Sequence, residues 1–204
     1  APIVLLEKSK VPNLAENIAP HLNEIGVMLP SNPLQHLLLR ETAIPLVMTS
    51  ANPSGEPPVL DNENALGKLA ELADFYLCHN RDILQRADDS LVRAAFDGPE
   101  ILRRARGYVP DETVLNTQNQ RNILAFGSDL KNTFCLLKQN KAVVSQHIGD
   151  TANELVQQQL EKNIALFSHI YQFTPDIIAV DAHQGYFSSK IGKILAEKLG
   201  RPYV

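Results

Sequence analysis

Three short apolar runs in close succession limit what this chain can fold into. Residues 122–126 (NILAF) end at Gly127, and Thr133–Leu137 and Lys141–Ser145 flank Gln139-Asn140. Runs of this length bounded by turn residues are strand-like, and the last two are spaced for a hairpin. A helical pattern comes next, with Val156, Leu160, Ile164, Phe167 and Tyr171 near one face. Thr151-x-x-Glu154 ahead of it has the form of a capping box. Asp176–Val180 predicts a further strand, and Ser188–Leu199 predicts a last helix closed by Gly200. Strands and helices mixed in this order give an α/β layer.

Three consecutive antiparallel strands, the first ending in Gly and small polar residues, open the phosphate-handling half of ribonuclease-H-like and actin-like folds. That analogy is one of fold alone. Several residues nearby have the chemistry for an anion. Lys131-Asn132 stands at the mouth of the first turn, where a lysine meets a phosphate or simply lines a hairpin edge. Gly149 and Asp150 precede a helix N-terminus, where backbone amides favour negative charge. His147 beside them is a base or a packed side chain. Asp181 ends a buried strand, a position suited to magnesium or a water, and His183 and Tyr186 extend that tip.

The first half reads as a second set of short elements. Pro2–Leu6, Gly26–Leu29, Pro45–Met48 and Phe75–Cys78 are strand-like. Asn32 caps a helix with Pro33 at its first position, and Leu34, Leu37 and Leu38 give it an apolar face. Asp61 caps another, with Ala65, Leu66, Leu69 and Leu72 on its buried side. Ser90–Ala95 and Ile101–Arg104 form a hairpin about the Asp-Gly of FDGPE. Val47–Pro57, VMTSANPSGEP, runs from an apolar strand into a polar loop. There the Thr49, Ser50 and Ser54 hydroxyls, the Asn52 amide and backbone N–H groups can wrap an anion, or form a plain turn. Arg86–Ser90, RADDS, is a magnesium or ribose site or a solvated turn. In LRRARG three arginines crowd together, which suits phosphate or carboxylate as well as a solvated edge. Strand alternation would set Arg104 and Arg106 on one face and Arg103 on the other.

Composition narrows the class. A net charge of −4 speaks against the broad phosphate contact that nucleic acid demands. No apolar run is long enough to cross a bilayer. Cys78 and Cys135 have no metal-ligand spacing and read as buried thiols of a reducing, cytoplasmic compartment. Residues 110–121, PDETVLNTQNQR, are polar without periodicity and read as a linker. The domains are expected at 1–117 and 118–204, with the boundary near Gln118. Both ends look cut, so the chain reads as a piece of a longer one.

TSANPSGEP, CHNRDILQRADDS and ILRRARGYVP, in this order, resemble the YrdC-like domain of the HypF-type carbamoyltransferases that mature nickel–iron hydrogenases. LKNTFCL, SQHIGD and DAHQGY resemble the second, TsaD-like domain of the same family. The resemblance implies a partial YrdC-like α/β domain followed by the first part of an actin/ribonuclease-H-like domain. It implies ATP, magnesium and carbamoyl phosphate, a carbamoyl-adenylate intermediate, and transfer to the C-terminal cysteine of the partner HypE. It leaves room for zinc or iron in the full-length protein. By motif, Ser50, Asn52, Asp89, Ser90, Arg103, Arg104 and Arg106 would hold the nucleotide or carbamoyl-adenylate. Lys131, His147 and Asp150 would be catalytic, and Asn132, Gly149, Asp181 and Tyr186 would complete the second site. His183 would be a metal ligand. The alternatives are a nucleotide- or RNA-binding module of the threonylcarbamoyl-tRNA pathway and a sugar-kinase-like ATPase.

Overall fold

A computed structural model describes residues 2–10, 14, 15, 17–117 and 119–204. The expected boundary residue, Gln118, lies outside the described residues. The chain divides into two units, 1–49 with 87–109, and 50–86 with 110–204.

The first unit is built on a four-stranded mixed sheet in the order β2-β1-β3-β4. β1 (Ile3–Glu7) pairs antiparallel with β2 (Glu24–Val27) and parallel with β3 (Leu91–Ala95). β3 turns into β4 (Gly98–Arg103) through Phe96-Asp97, one residue earlier than the Asp-Gly pair suggested, and Gly98 begins β4 at φ 121°. Val92 is opposite Ile101 but Leu91 is opposite Arg103, so Leu102 is an extra residue in β4. Such a bulge bends the strand and re-aims the residues beyond it. β4 then ends at Arg103, so the simple alternation expected of the arginines does not continue to Arg104 and Arg106.

α1 (Pro33–Thr42) begins as expected, with the Asn32 side chain accepting from the Gln35 N–H and Pro33 in the first turn. It ends at Ala43 in the left-handed region. Its expected apolar face is not buried: Leu34, Leu37 and Leu38 all remain exposed. Pro45–Met48 forms no strand, and Val47 is 83% exposed. An apolar run becomes a strand only where a neighbour supplies the other half of a ladder. None of the described strands lies beside this one.

The second unit holds a five-stranded sheet in the order β5-β8-β7-β6-β9. β6 (Ile123–Phe126), β7 (Phe134–Lys138) and β8 (Lys141–Val144) are the antiparallel meander that the sequence predicts. β9 (Ile177–Ala179) lies parallel to β6. Tyr203 makes an isolated parallel bridge to Ile178. β5 (Glu112–Val114) corrects the linker reading. It adds antiparallel to β8 with all three residues exposed, and so leaves no apolar period to read.

α3 (Glu154–Ile170) buries Val156, Leu160, Ile164 and Phe167, and Phe167 meets Phe134 edge-on with ring centroids 5.2 Å apart. Its cap is Asn153, whose side chain accepts from the Leu155 N–H. The expected capping box does not form, because the Thr151 hydroxyl is held by a carboxylate elsewhere. α4 (Phe187–Leu199) ends at Gly200 in the left-handed region as expected. It approaches β6 and β9 closely at Gly192, where a Cβ would stand 2.5 Å from Val180 Cγ1.

In α2 (Asn62–Lys68) the Asp61 cap is present, with its carboxylate held below the usual range mainly by the Asn64 side-chain and backbone N–H donors. Only Leu69 of its expected apolar side is buried, while Leu66 and Leu72 are exposed. Phe75–Cys78 is not a strand, and Phe75 is 93% exposed. Cys78 is therefore exposed rather than buried. Cys135 is half-buried, and burial pushes its thiol pKa up.

Candidate functional site

In the first unit Asp89 and Ser90 of RADDS meet the LRRARG motif. Arg106 pairs with the Asp89 carboxylate through Nη2 at 2.5 Å and Nε at 3.1 Å, and the two residues also form a parallel bridge. Ser90 has no exposed surface. Its Oγ accepts from the Ala105 N–H at 2.8 Å and donates to the Arg106 carbonyl at 3.0 Å. Ser90 is thus a backbone staple, not a ligand group. Arg106 is partly neutralised by Asp89, whereas Arg103 and Arg104 have no carboxylate partner among the described residues. A half-buried guanidinium without a partner is suited to a phosphate or carboxylate ligand.

The SANPSG loop belongs to the second unit. Gly55 takes φ 81°, which only glycine adopts without cost, and the Glu56 N–H donates to the Pro53 carbonyl. Ser50 is exposed. Asn52 donates its amide to the Pro53 carbonyl at 2.9 Å, and its Oδ1 is buried with no partner. A buried acceptor left open is suited to a hydroxyl or amine donor.

The remaining residues cluster at one end of the second sheet. Asn132 is 1% exposed. Its N–H donates to the Gly149 carbonyl and its own carbonyl accepts from the Ile148 N–H, so the turn after β6 and the loop after β8 are zipped together. Its Nδ2 donates to the Ser128 and Gly127 carbonyls, leaving Oδ1 buried and open. Lys131 takes φ 51° and is exposed. Gly149 takes φ 127°, and Asp150 caps its own turn by accepting from the Ala152 N–H. His147 is half-buried.

Beyond β9, Asp181 accepts from the His183 N–H, and His183 Nδ1 accepts from the Gly185 N–H. The His183 and Tyr186 rings stack at 4.3 Å. No group of three His, Cys, Asp or Glu side chains able to hold a metal forms among the described residues. His183 therefore has no complete ligand set around it here.

Two parts of this site escape a reading of motifs. Asp129 accepts from the Thr151 hydroxyl at 2.5 Å and from the Phe187 and Ser188 N–H groups at 3.0 Å each. Burial alone would raise its carboxyl pKa. The Ser188 N–H, the Thr151 hydroxyl and the Phe187 N–H outweigh that and hold it below the usual range. Its only sequence signal is a carboxylate two residues after the glycine that ends β6. Arg86 Nη1 donates to the Ile148 carbonyl at 3.2 Å, and Gln85 reaches the buried Asn163, which also accepts from Gln146 at 3.0 Å. Nothing in RADDS announces that Arg86 serves the loop of Gly149.

These features define an α/β chain with two mixed sheets, the second opened by an antiparallel meander whose loops gather at one end. Known proteins share this arrangement. The Sua5/YciO/YrdC family model, described as "Telomere recombination", matches residues 1–105, and the model of the HypF Kae1-like domain matches residues 118–202. The chain is 46% identical over 188 residues to "Carbamoyltransferase HypF" of Synechocystis sp., covering 92% of this chain and 24% of that protein. It is 40% identical over 223 residues to "Carbamoyltransferase HypF2" of Cupriavidus necator, covering 100% and 27%. A crystal structure of full-length HypF in its phosphate- and nucleotide-bound form superposes with a TM-score of 0.89 at 42% identity, covering 100% of this chain and 31% of that one. HypF of T. kodakarensis superposes with a TM-score of 0.91 at 39% identity, covering 99% and 27%. The chain belongs to the HypF family, with a YrdC domain followed by a Kae1-like domain. It spans about a quarter of the length of the curated relatives it matches.

Proposed function

We propose that the protein carrying this chain is a carbamoyltransferase that activates a carbamoyl group as its adenylate and passes it to a cysteine thiol of a protein partner. The observation that carries this reading is alignment of the whole chain with proteins named carbamoyltransferase HypF, one of them solved with phosphate and nucleotide bound. Water first hydrolyses carbamoyl phosphate to carbamate and inorganic phosphate; a carbamate oxygen then attacks the α-phosphorus of ATP and pyrophosphate leaves. In the second, a thiolate sulfur attacks the carbamoyl carbon and AMP leaves. The partner is HypE, and the acceptor is its C-terminal cysteine.

The residues fit the groups these steps bring. Arg103 and Arg104 supply charge for the phosphates, with Arg106 held by Asp89 beside them. The open Asn52 Oδ1 supplies an acceptor for a ribose hydroxyl or an amine, with Ser50 nearby in the chain. Lys131 and the loop of His147, Gly149 and Asp150 face the adenylate in the second step. Magnesium would supply charge neutralisation when bound. Asp150 and Asp181 would be its carboxylates; each also accepts a backbone N–H, and no group of three His, Cys, Asp or Glu side chains able to hold a metal forms among the described residues.

The test is carbamoyl-phosphate-dependent exchange of pyrophosphate into ATP by the intact protein. Arg104→Ala is expected to slow exchange at least about tenfold, the scale of losing a charged donor to a developing anion. Absence of any exchange in the wild-type protein refutes the first step, and unchanged exchange in Arg104→Ala removes that arginine from it.

A further inference from the structure

We infer that Asp129 is the positioning residue that holds the three loops of the second site in one arrangement, and that its charge, not its bulk, does this. The inference rests on the carbamoyl-transfer reading for its consequence but not for its geometry.

The three donors to this carboxylate come from two segments remote from its own. Thr151 directly follows Asp150. Phe187 directly follows Tyr186 and opens α4. Asp129 itself lies two residues before Lys131 and three before Asn132. The Asp129 backbone carbonyl adds a fourth link, accepting from the Thr151 N–H at 3.1 Å. Lys131, Asn132, Gly149, Asp150 and Tyr186 therefore all stand within three residues of Asp129 or of a residue bound to it.

The neighbouring residue does not supply this link. Tyr186, the N-cap position of α4, makes no side-chain capping bond. The first amides of α4 are satisfied instead by a carboxylate 58 and 59 residues earlier. A carboxylate can accept all of these bonds at once. An asparagine in its place turns an N–H₂ toward donors and loses the charge. A phosphate entering this site also finds the Phe187 and Ser188 amides committed, which leaves the side of Lys131 and Gly149 for it.

The experiment uses the intact protein and two readouts. Amide hydrogen exchange is followed at Thr151, Phe187 and Ser188, with β7 and β8 as reference. Asp129→Asn is expected to speed exchange at all three amides together by about tenfold or more, leaving the β7–β8 hairpin protected. Asp129→Glu, which restores the charge, recovers part of that protection. On the kinetic side, Asp129→Asn lowers kcat of carbamoyl transfer to the thiol by about tenfold with little change in KM, and leaves pyrophosphate exchange intact. Unchanged exchange at the three amides overturns the inference, as does a rise at only one of them. Equal loss of protection across β7 and β8 also overturns it, because that marks general destabilisation. If wild-type protein transfers no carbamoyl group yet the amides respond as described, the positioning role stands and the carbamoyl-transfer reading is the one that fails.

Discussion

Ser90→Ala separates a staple from a ligand group. The Ser90 hydroxyl has no exposed surface and bridges the Ala105 N–H and the Arg106 carbonyl. Alanine removes both bonds. The Ala105 N–H is the costly loss, since Ala105 is also 0% exposed. A buried donor left unpaired costs about 1–3 kcal/mol. The Arg106 carbonyl belongs to an exposed residue and can turn to water, so its loss adds little. Removing the hydroxyl also removes the cost of burying it, which keeps the total near about 2 kcal/mol. With a urea slope of about 1–3 kcal/mol/M, the unfolding midpoint of the first unit should fall by about 1 M. The Ala105 amide should exchange faster in the same variant. The Asp89–Arg106 pair should loosen with it, because Ser90 holds the Arg106 backbone in place. A midpoint and an Ala105 amide that do not move, alongside lost nucleotide binding, would refute this reasoning and return Ser90 to the ligand.

Gly127→Ala should destabilise the second unit by about 1–3 kcal/mol, because its Cβ would stand 2.7 Å from the Thr133 carbonyl, which is backbone and cannot step aside; thermal melting checks this. Asp129 has a folded pKa below its unfolded value. Its contribution is therefore complete above the unfolded pKa of about 3.9 and is lost as pH falls through the folded value. Asp129→Asn should be less stable at neutral pH and show a shallower acid limb in unfolding titrations; parallel limbs would exclude the carboxylate as the cause. Exposed Cys78 should react quickly with a thiol reagent at about pH 8, while Cys135, half-buried with its pKa raised, should lag until the protein unfolds.

The helices announced themselves wherever a cap lies next to the element it serves. Asn32-Pro33, Asp61 and Gly200 each sit at the end they terminate, and each does there what its chemistry predicts. The antiparallel meander was equally legible, since each of its strands is an apolar run with its turn beside it. Thr151 shows the limit. Its spacing to Glu154 is that of a capping box, yet Asp129, far away in sequence, takes the hydroxyl and leaves Asn153 to cap α3. Pro45–Met48 and Phe75–Cys78 show another limit. They have strand composition, but a ladder is a property of two segments, and one segment's residues do not report whether the other is beside it.

The candidate site divides along the same line. Its chemical types, arginines, a lysine, a Gly-Asp turn and an Asp-x-His tip, are properties of short motifs and were visible residue by residue. Which of them are available was decided only by folding. Asp89 is given to Arg106, Ser90 to the backbone and the Asn132 main chain to the zipper between two loops, while Arg103, Arg104 and Lys131 lie outside those bonds. Local patterns determined the elements and the family motifs, because those depend on neighbours a few residues away. The tertiary structure decided the assignments of Asp129 and Arg86, because a hydrogen bond is set by distance in space, and their partners lie 22 to 62 residues along the chain.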